Sequence, residues 1–167
     1  KGILTLMVGG EKKTFNRSKK FCEAIGDKLF YVGPSGAGHT LKLVHNMVCH
    51  ANFLTLCQAG RMAEKSGIEL SDMIDVFNPA NARSYISQFR FPKHILSGKW
   101  DARSRVYNLN KDLGMAVELG KKLKVDVSMG QGTSNFLKSA MGIGMSEMDF
   151  SLLYRDFDKI TKKKKRK

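Results

Sequence analysis

The chain has 167 residues, enough for one compact domain with a real core, or one domain with a short appendage. Hydrophobic residues make up 42% and charged residues 26%, which excludes a wholly disordered chain, and no apolar stretch reaches the ~20 residues that a membrane span needs. The net charge is +14, but residues 162–167 are all basic, so a large share of it belongs to a tail rather than to a folded surface.

In chain order, residues 3–8 (ILTLMV) run into Gly9 and Gly10 and predict a strand ending in a turn. Residues 13–25 space Phe15, Phe21, Cys22 and Ile25 at helical period, with Gly26 as a C-cap. A second short apolar run, 29–32, closes at Gly33 and Pro34. The opening is therefore strand, helix, strand, and two strands alone are marginal, so they belong with a larger sheet. A chain that opens mid-strand at Lys1, with neither an initiator methionine nor signal-peptide anatomy, reads as a piece of a longer polypeptide.

From Gly36 the character changes. Residues 39–66 hold no proline and one glycine, Gly60, while Leu41, Val44, Val48, Ala51, Thr55 and Ala59 recur at three- and four-residue steps. One helix of roughly 40 Å is expected, stopped by Gly67 and long enough to link two domains or form an oligomer spine. Ser71 caps a short helix to about Phe77, and residues 80–107 read as irregular. Residues 108–123 predict an amphipathic helix with Leu109, Leu113, Ala116, Val117 and Leu123 inward. Helices over 133–141 and 150–160 follow, the last with Leu153 and Phe157 on one face. The expected fold is mainly α: a helical domain over 36–161 with a long interdomain helix, preceded by the strand-helix-strand segment 1–35 and followed by the basic tail 162–167.

The chemistry concentrates between Gly33 and Asn46. Three glycines, Gly33, Gly36 and Gly38, stand at a strand-to-helix junction, where tight turning and a helix N-terminus favour an anion. The spacing is not the GxGxxG of a dinucleotide fingerprint. Lys42 and Asn46 are four apart, hence on one helical face, and the small residues Ala37 and Gly38 leave room beside them for a ligand. A lysine near the start of a long, partly buried helix is a candidate acid–base group, and an asparagine beside it can hold a hydroxyl or carbonyl. The competing reading is a solvated lysine and a capping or surface asparagine.

The pattern GxxGxGxxxKxxxN, met at Gly33, Gly36, Gly38, Lys42 and Asn46, resembles the β-hydroxyacid dehydrogenase family (3-hydroxyisobutyrate dehydrogenase and relatives, with a C-terminal part like that of 6-phosphogluconate dehydrogenase). The segment Lys111-Asp112-Leu113-Gly114-Met115-Ala116 is similar to the family's KDLxLA, and Asp149-Phe150-Ser151 resembles its closing D-[FY]-S. The resemblance implies a nucleotide-binding Rossmann domain followed by a helical substrate and oligomerisation domain, with this chain as the second part and its two strands as the last of the Rossmann sheet. It implies NAD or NADP, bound mainly by the preceding domain, a small 3-hydroxy acid as substrate, and a homodimer or homotetramer in the cytoplasm (alternatively the mitochondrion or nucleus). On the same resemblance Lys42 is the general acid/base, Asn46 and Gly38 contact substrate, Lys111 approaches the nicotinamide or the substrate carboxylate, and Asp112 steadies the start of its helix. The fragment by itself is expected to be inactive. Around Arg103 and Ser104 the family's Gly-Phe is absent, and Arg103 or Arg105 is available there for an acidic substrate group.

Other features take bland readings. His45, Cys49 and His50 cluster on the long helix as buried helix residues rather than as a metal site, which needs three or four ligands. Met141, Met145 and Met148 read as flexible packing. Three cysteines, an odd number with no CxxC, fit a reducing compartment. Phe89, Phe91 and Trp100 alternate with Arg90, Lys93 and Lys99, a pattern suited to nucleic-acid stacking but more in keeping with a subdomain edge or dimer contact. The tail 162–167 supports the alternative function, a non-catalytic module that engages nucleic acid or an acidic partner.

Overall fold

A computed structural model describes residues 3–162. The chain divides into two compact units, Lys1–His45 and Asn46–Lys167. The elements run β1 (Thr5–Gly9), α1 (Lys12–Ile25), β2 (Lys28–Gly33), α2 (Ala37–Lys65), α3 (Leu70–Phe77), two π-helical turns (Ile86–Arg90 and Pro92–Leu96), α4 (Val106–Lys122), α5 (Ser128–Gly142), α6 (Leu152–Arg155) and α7 (Phe157–Thr161). The chain is thus mostly helical with a small sheet at its start.

In the first unit β1 and β2 pair in parallel, in register from Thr5 opposite Lys28 to Val8 opposite Tyr31, with a slip before Gly9 opposite Gly33. Parallel pairing needs a crossover, and α1 supplies it. Phe15 on α1 lies against Tyr31 with ring centroids 5.1 Å apart, and Tyr31 donates its hydroxyl proton to Gly10 O at 2.9 Å. Parallel strands are normally covered on both faces. Here Leu4 and Phe30 remain more than half exposed, as does Phe21 on α1.

The second unit holds the core. Leu113, Leu137, Leu153, Val106 and Phe91 are fully buried, and each such side chain contributes roughly 1.5–3 kcal/mol relative to an exposed one. Phe53 meets Phe150 edge-on at 4.8 Å and Phe91 meets Tyr154 edge-on at 5.3 Å. Burial at Cys57 pushes its thiol well above the ordinary cysteine value, so it packs as a small hydrophobe. Met145 is buried, with Met141 and Met148 packed against the core.

Several expectations change. On α2 the buried residues are Asn46, Phe53, Leu54, Leu56, Cys57, Gly60 and Ala63, whereas Leu41, Val44 and Val48 of the anticipated stripe are over a third exposed. The helix carries two apolar stripes, and the one with the larger side chains took the core. Helix α3 starts two residues earlier than expected, with Glu69 rather than Ser71 at its N-cap and no side-chain cap bond. The region read as irregular contains the two π-helical turns, because Ile86, Phe91 and Ile95 bury there and pull the backbone into coils. Phe91 is therefore withdrawn from any stacking surface. Leu123 lies at the end of α4, 62% exposed. The final helix breaks in two at Asp156, a buried carboxylate that accepts from Arg155 and from Lys159 at 2.6 Å. Of the basic tail, Lys162 is exposed and residues 163–167 lie outside the described residues.

Candidate active site

The junction from β2 to α2 is built by glycine. Gly33 (φ 128°) and Gly36 (φ 89°) take backbone conformations that side chains avoid, and they bracket a turn closed by Ala37 N–H donating to Pro34 O at 3.0 Å. Gly38 serves differently. A Cβ there would collide with the backbone oxygen of Met7, and one at Gly9 would lie 2.5 Å from Pro34 O. The first turn of α2 therefore rides directly on the C-terminal end of β1.

That contact shapes an open groove of about 670 Å³ along β1, lined on the helix side by Ser35, Gly36, Gly38, His39, Lys42 and His45. Lys42 is exposed, which corrects the expectation that it stands on a partly buried stretch of the helix: the first turns of α2 lie beside open space. His39 and His45 stand three residues either side of Lys42, hence on its face, a spacing that the sequence displayed without drawing notice.

One turn beyond Lys42, Asn46 is only 9% exposed, which excludes the surface-asparagine reading. Its Nδ2 donates to Asp112 Oδ2 at 2.8 Å, and Lys111 Nζ stands 3.4 Å from the other oxygen of that carboxylate. The structure thus brings Asn46, Lys111 and Asp112 together. Asp112 does not steady the start of α4, because the helix begins at Val106 and Asp112 falls in its second turn. The half-exposed Lys111 ammonium keeps donors for an acceptor oxygen such as that of a carboxamide or carboxylate, so it fits a contact to cofactor or substrate.

The segment before α4 is held by a residue whose role was legible only through its motif. Asp149 accepts the backbone N–H of Arg103 at 2.7 Å through one oxygen, and the Ser151 N–H and O–H at 2.9 and 2.6 Å through the other. Val106 N–H donates to Met148 O and Phe150 N–H to Ser104 O, completing a short antiparallel bridge. Arg105, one of the two arginines considered for an acidic substrate group, is paired with Glu147 at 2.7 Å. Among the described residues no three His, Cys, Asp or Glu side chains gather as metal ligands, and no helix is long and apolar enough to cross a membrane.

The fold is that of the 3-hydroxyisobutyrate dehydrogenases. The enzyme of that name from Salmonella typhimurium superposes with a TM-score of 0.82 at 27% identity, covering 90% of this chain and 53% of the other. The Mycobacterium tuberculosis 3-hydroxyisobutyrate dehydrogenase, at 22% identity, shares the fold with a TM-score of 0.82, over 92% of this chain and 55% of that one. Residues 36–157 match the family described as the NAD-binding of NADP-dependent 3-hydroxyisobutyrate dehydrogenase, and the chain belongs to this family. The cofactor class expected from the sequence, NAD or NADP, is the one the family description carries. Among curated relatives, the 2-(hydroxymethyl)glutarate dehydrogenase of Eubacterium barkeri is 28% identical over 160 residues, which are 96% of this chain and 53% of that protein. The probable mitochondrial 3-hydroxyisobutyrate dehydrogenase of Dictyostelium discoideum is also 28% identical, over 92% of this chain and 50% of its own length. The chain spans about half the length of the curated relatives it matches.

Proposed function

We propose that this chain is the helical, substrate-side part of an NAD(P)-dependent β-hydroxyacid dehydrogenase that moves a hydride between the nicotinamide and a small 3-hydroxy acid. The observation that carries the reading is the placement of Lys42 on the wall of an open groove, with the buried Asn46 one helical turn further along α2.

The bound nicotinamide supplies the hydride acceptor or donor. Oxidising a hydroxyl also requires its proton to leave as the C–H bond breaks, and an unprotonated Lys42 amine takes it; in the reverse direction the ammonium returns it to the carbonyl oxygen. Asn46, held by Asp112, positions the hydroxyl for that transfer. Gly38 keeps the groove floor free of a side chain, and Lys111 meets the carboxylate of the substrate or the carboxamide of the cofactor. The two parallel strands take their place in the larger sheet of a preceding nucleotide domain. The half-exposed residues Val44 and Val48 on α2 support a homodimer or homotetramer in which a partner covers them.

Lys42→Ala in the full-length enzyme tests the assignment. The expected outcome is a loss of turnover of about 10²- to 10⁴-fold with cofactor affinity nearly unchanged. A variant that retains kcat removes Lys42 from the acid/base role.

A further inference from the structure

We infer that the outward face of α1 is a docking surface for the phosphate backbone of duplex nucleic acid, an inference independent of the dehydrogenase reading. The charge of the chain is placed unevenly. Residues 1–45 hold eight Lys and Arg against three Asp and Glu, whereas residues 46–161 hold fifteen against twelve. Five of those eight cations stand on α1, where Glu23 is the one acid.

The fold sorts these cations by face. Phe15, Ser18 and Cys22, at helical spacing, are the half-buried positions of α1, and Phe15 meets Tyr31 of β2. At about 3.6 residues per turn Lys13, Arg17 and Lys20 fall on the opposite side, all exposed, with Asn16 and Ala24 beside them. The other two cations are engaged: Lys19 stands 3.7 Å from Glu23, and Lys12 Nζ lies 4.0 Å from the centre of the Tyr31 ring. Among the described residues no carboxylate pairs with Lys13, Arg17 or Lys20. In the second unit Arg61, Arg105, Arg155 and Lys159 each have one.

This arrangement works against the helix. Like charges three and four residues apart repel, and cations in the first turn oppose the helix dipole. Helix α1 carries both costs, with no acidic residue in its first turn. An external row of anions relieves them. From Lys13 to Lys20 the stripe runs about 10 Å along the axis, a length over which a duplex, with one charge per roughly 1.7 Å, presents several phosphates. The Asn16 amide adds a neutral donor of the kind that phosphate oxygens accept. A lipid surface also offers anions, but an interfacial helix sinks an apolar face beside its basic one. Here Phe15 and Cys22 are turned toward the sheet, and the exposed Phe21 and Ile25 sit at one flank of the stripe.

The test uses the full-length protein and a mixed-sequence DNA duplex of about 20 base pairs, with fluorescence anisotropy read between about 50 and 200 mM salt. The triple variant Lys13→Gln, Arg17→Gln, Lys20→Gln keeps good helix formers at three exposed positions. It is expected to weaken binding about tenfold or more and to lower the slope of log K against log salt by about 2 to 3, since each phosphate contact contributes roughly 0.9. The same change in slope is expected in a chain lacking residues 162–167. Lys121→Gln, Lys122→Gln and Lys124→Gln, which remove equal charge from exposed positions at the end of α4, are expected to alter the slope by less than about 1. Lys13→Arg with Lys20→Arg is expected to bind as wild type. The inference is overturned if the duplex is not bound, if the α1 and α4 variants change the slope equally, or if the α1 effect vanishes once residues 162–167 are removed. Loss of binding to phosphatidylserine vesicles in the α1 variant, with DNA affinity unchanged, assigns the face to a membrane and overturns it as well.

Discussion

Arg61 on α2 donates through Nη2 to Asp158 on α7 at 2.8 Å, while its Nη1 reaches Glu64 at 2.6 Å on its own helix. Lys65 Nζ stands 3.5 Å from the same Asp158 oxygen, so α7 is tied to the end of α2 by a shared carboxylate. The hydrogen bond from Arg61 holds the Asp158 carboxyl below its ordinary value. A carboxylate with a depressed folded-state pKa stabilises the fold above its unfolded value, roughly pH 3.9, and that contribution disappears as pH falls through the folded value. Asp158→Asn is therefore expected to lower the melting temperature at pH 7, and the difference is expected to shrink as pH falls through the depressed folded value and the wild-type carboxyl becomes neutral. Thermal melts of the two proteins across that range decide it: an equal penalty at both ends would show that Asp158 acts through packing and not through charge.

Glycine replacements separate a required close approach from an idle gap. At Gly38 a methyl group would meet the Met7 backbone oxygen, an obstacle that cannot rotate away, so α2 and β1 must part. Gly38→Ala is expected to cost about 1–3 kcal/mol or more. Gly132 lies within α5 with nothing near its missing Cβ, and Gly132→Ala should stabilise by about 0.5–1 kcal/mol through the entropy that alanine removes from the unfolded chain. Denaturant titration of both variants reads the signs, and a neutral Gly38→Ala would mean that the two elements are free to separate.

Much of this fold was legible because apolar spacing and glycine punctuation are local signals. The two strands, α1 with Gly26 after it, and α2 up to Gly67 fall within a few residues of where the sequence put them. The face of α2 was not legible, since Leu41, Val44 and Val48 mark a helix as well as Phe53, Leu56 and Gly60 do, and only tertiary packing chooses between the stripes. The π-helical turns escaped for the same reason: Pro92 and the polar residues around Phe91 look like loop until the core claims Ile86, Phe91 and Ile95. At the site, Lys42 and Asn46 declared themselves by spacing, whereas the bond from Asn46 to Asp112 joins residues 66 positions apart and no local pattern carries it.

Leu113 and Leu123 turn that lesson into a measurement. Both were expected to face inward on one helix, yet Leu113 is fully buried and Leu123 is 62% exposed just beyond the last turn. The cause is geometric. Helical period carries Leu109, Leu113, Ala116 and Val117 along one face into the core, and α4 ends at Lys122 before its next turn can bring Leu123 under cover. Leu113→Ala removes methyl groups from a packed site and leaves a cavity, at an expected cost of about 2–5 kcal/mol. Leu123→Ala removes the same atoms from solvent-facing surface and should stay within about 0.5 kcal/mol of wild type. Unfolding free energies from urea titration, with unchanged m-values, give the comparison directly. Large losses at both positions would mean that residue 123 is covered in solution by something packed on the end of α4, and small losses at both would mean that the face of α4 carrying Leu113 is looser than its burial indicates.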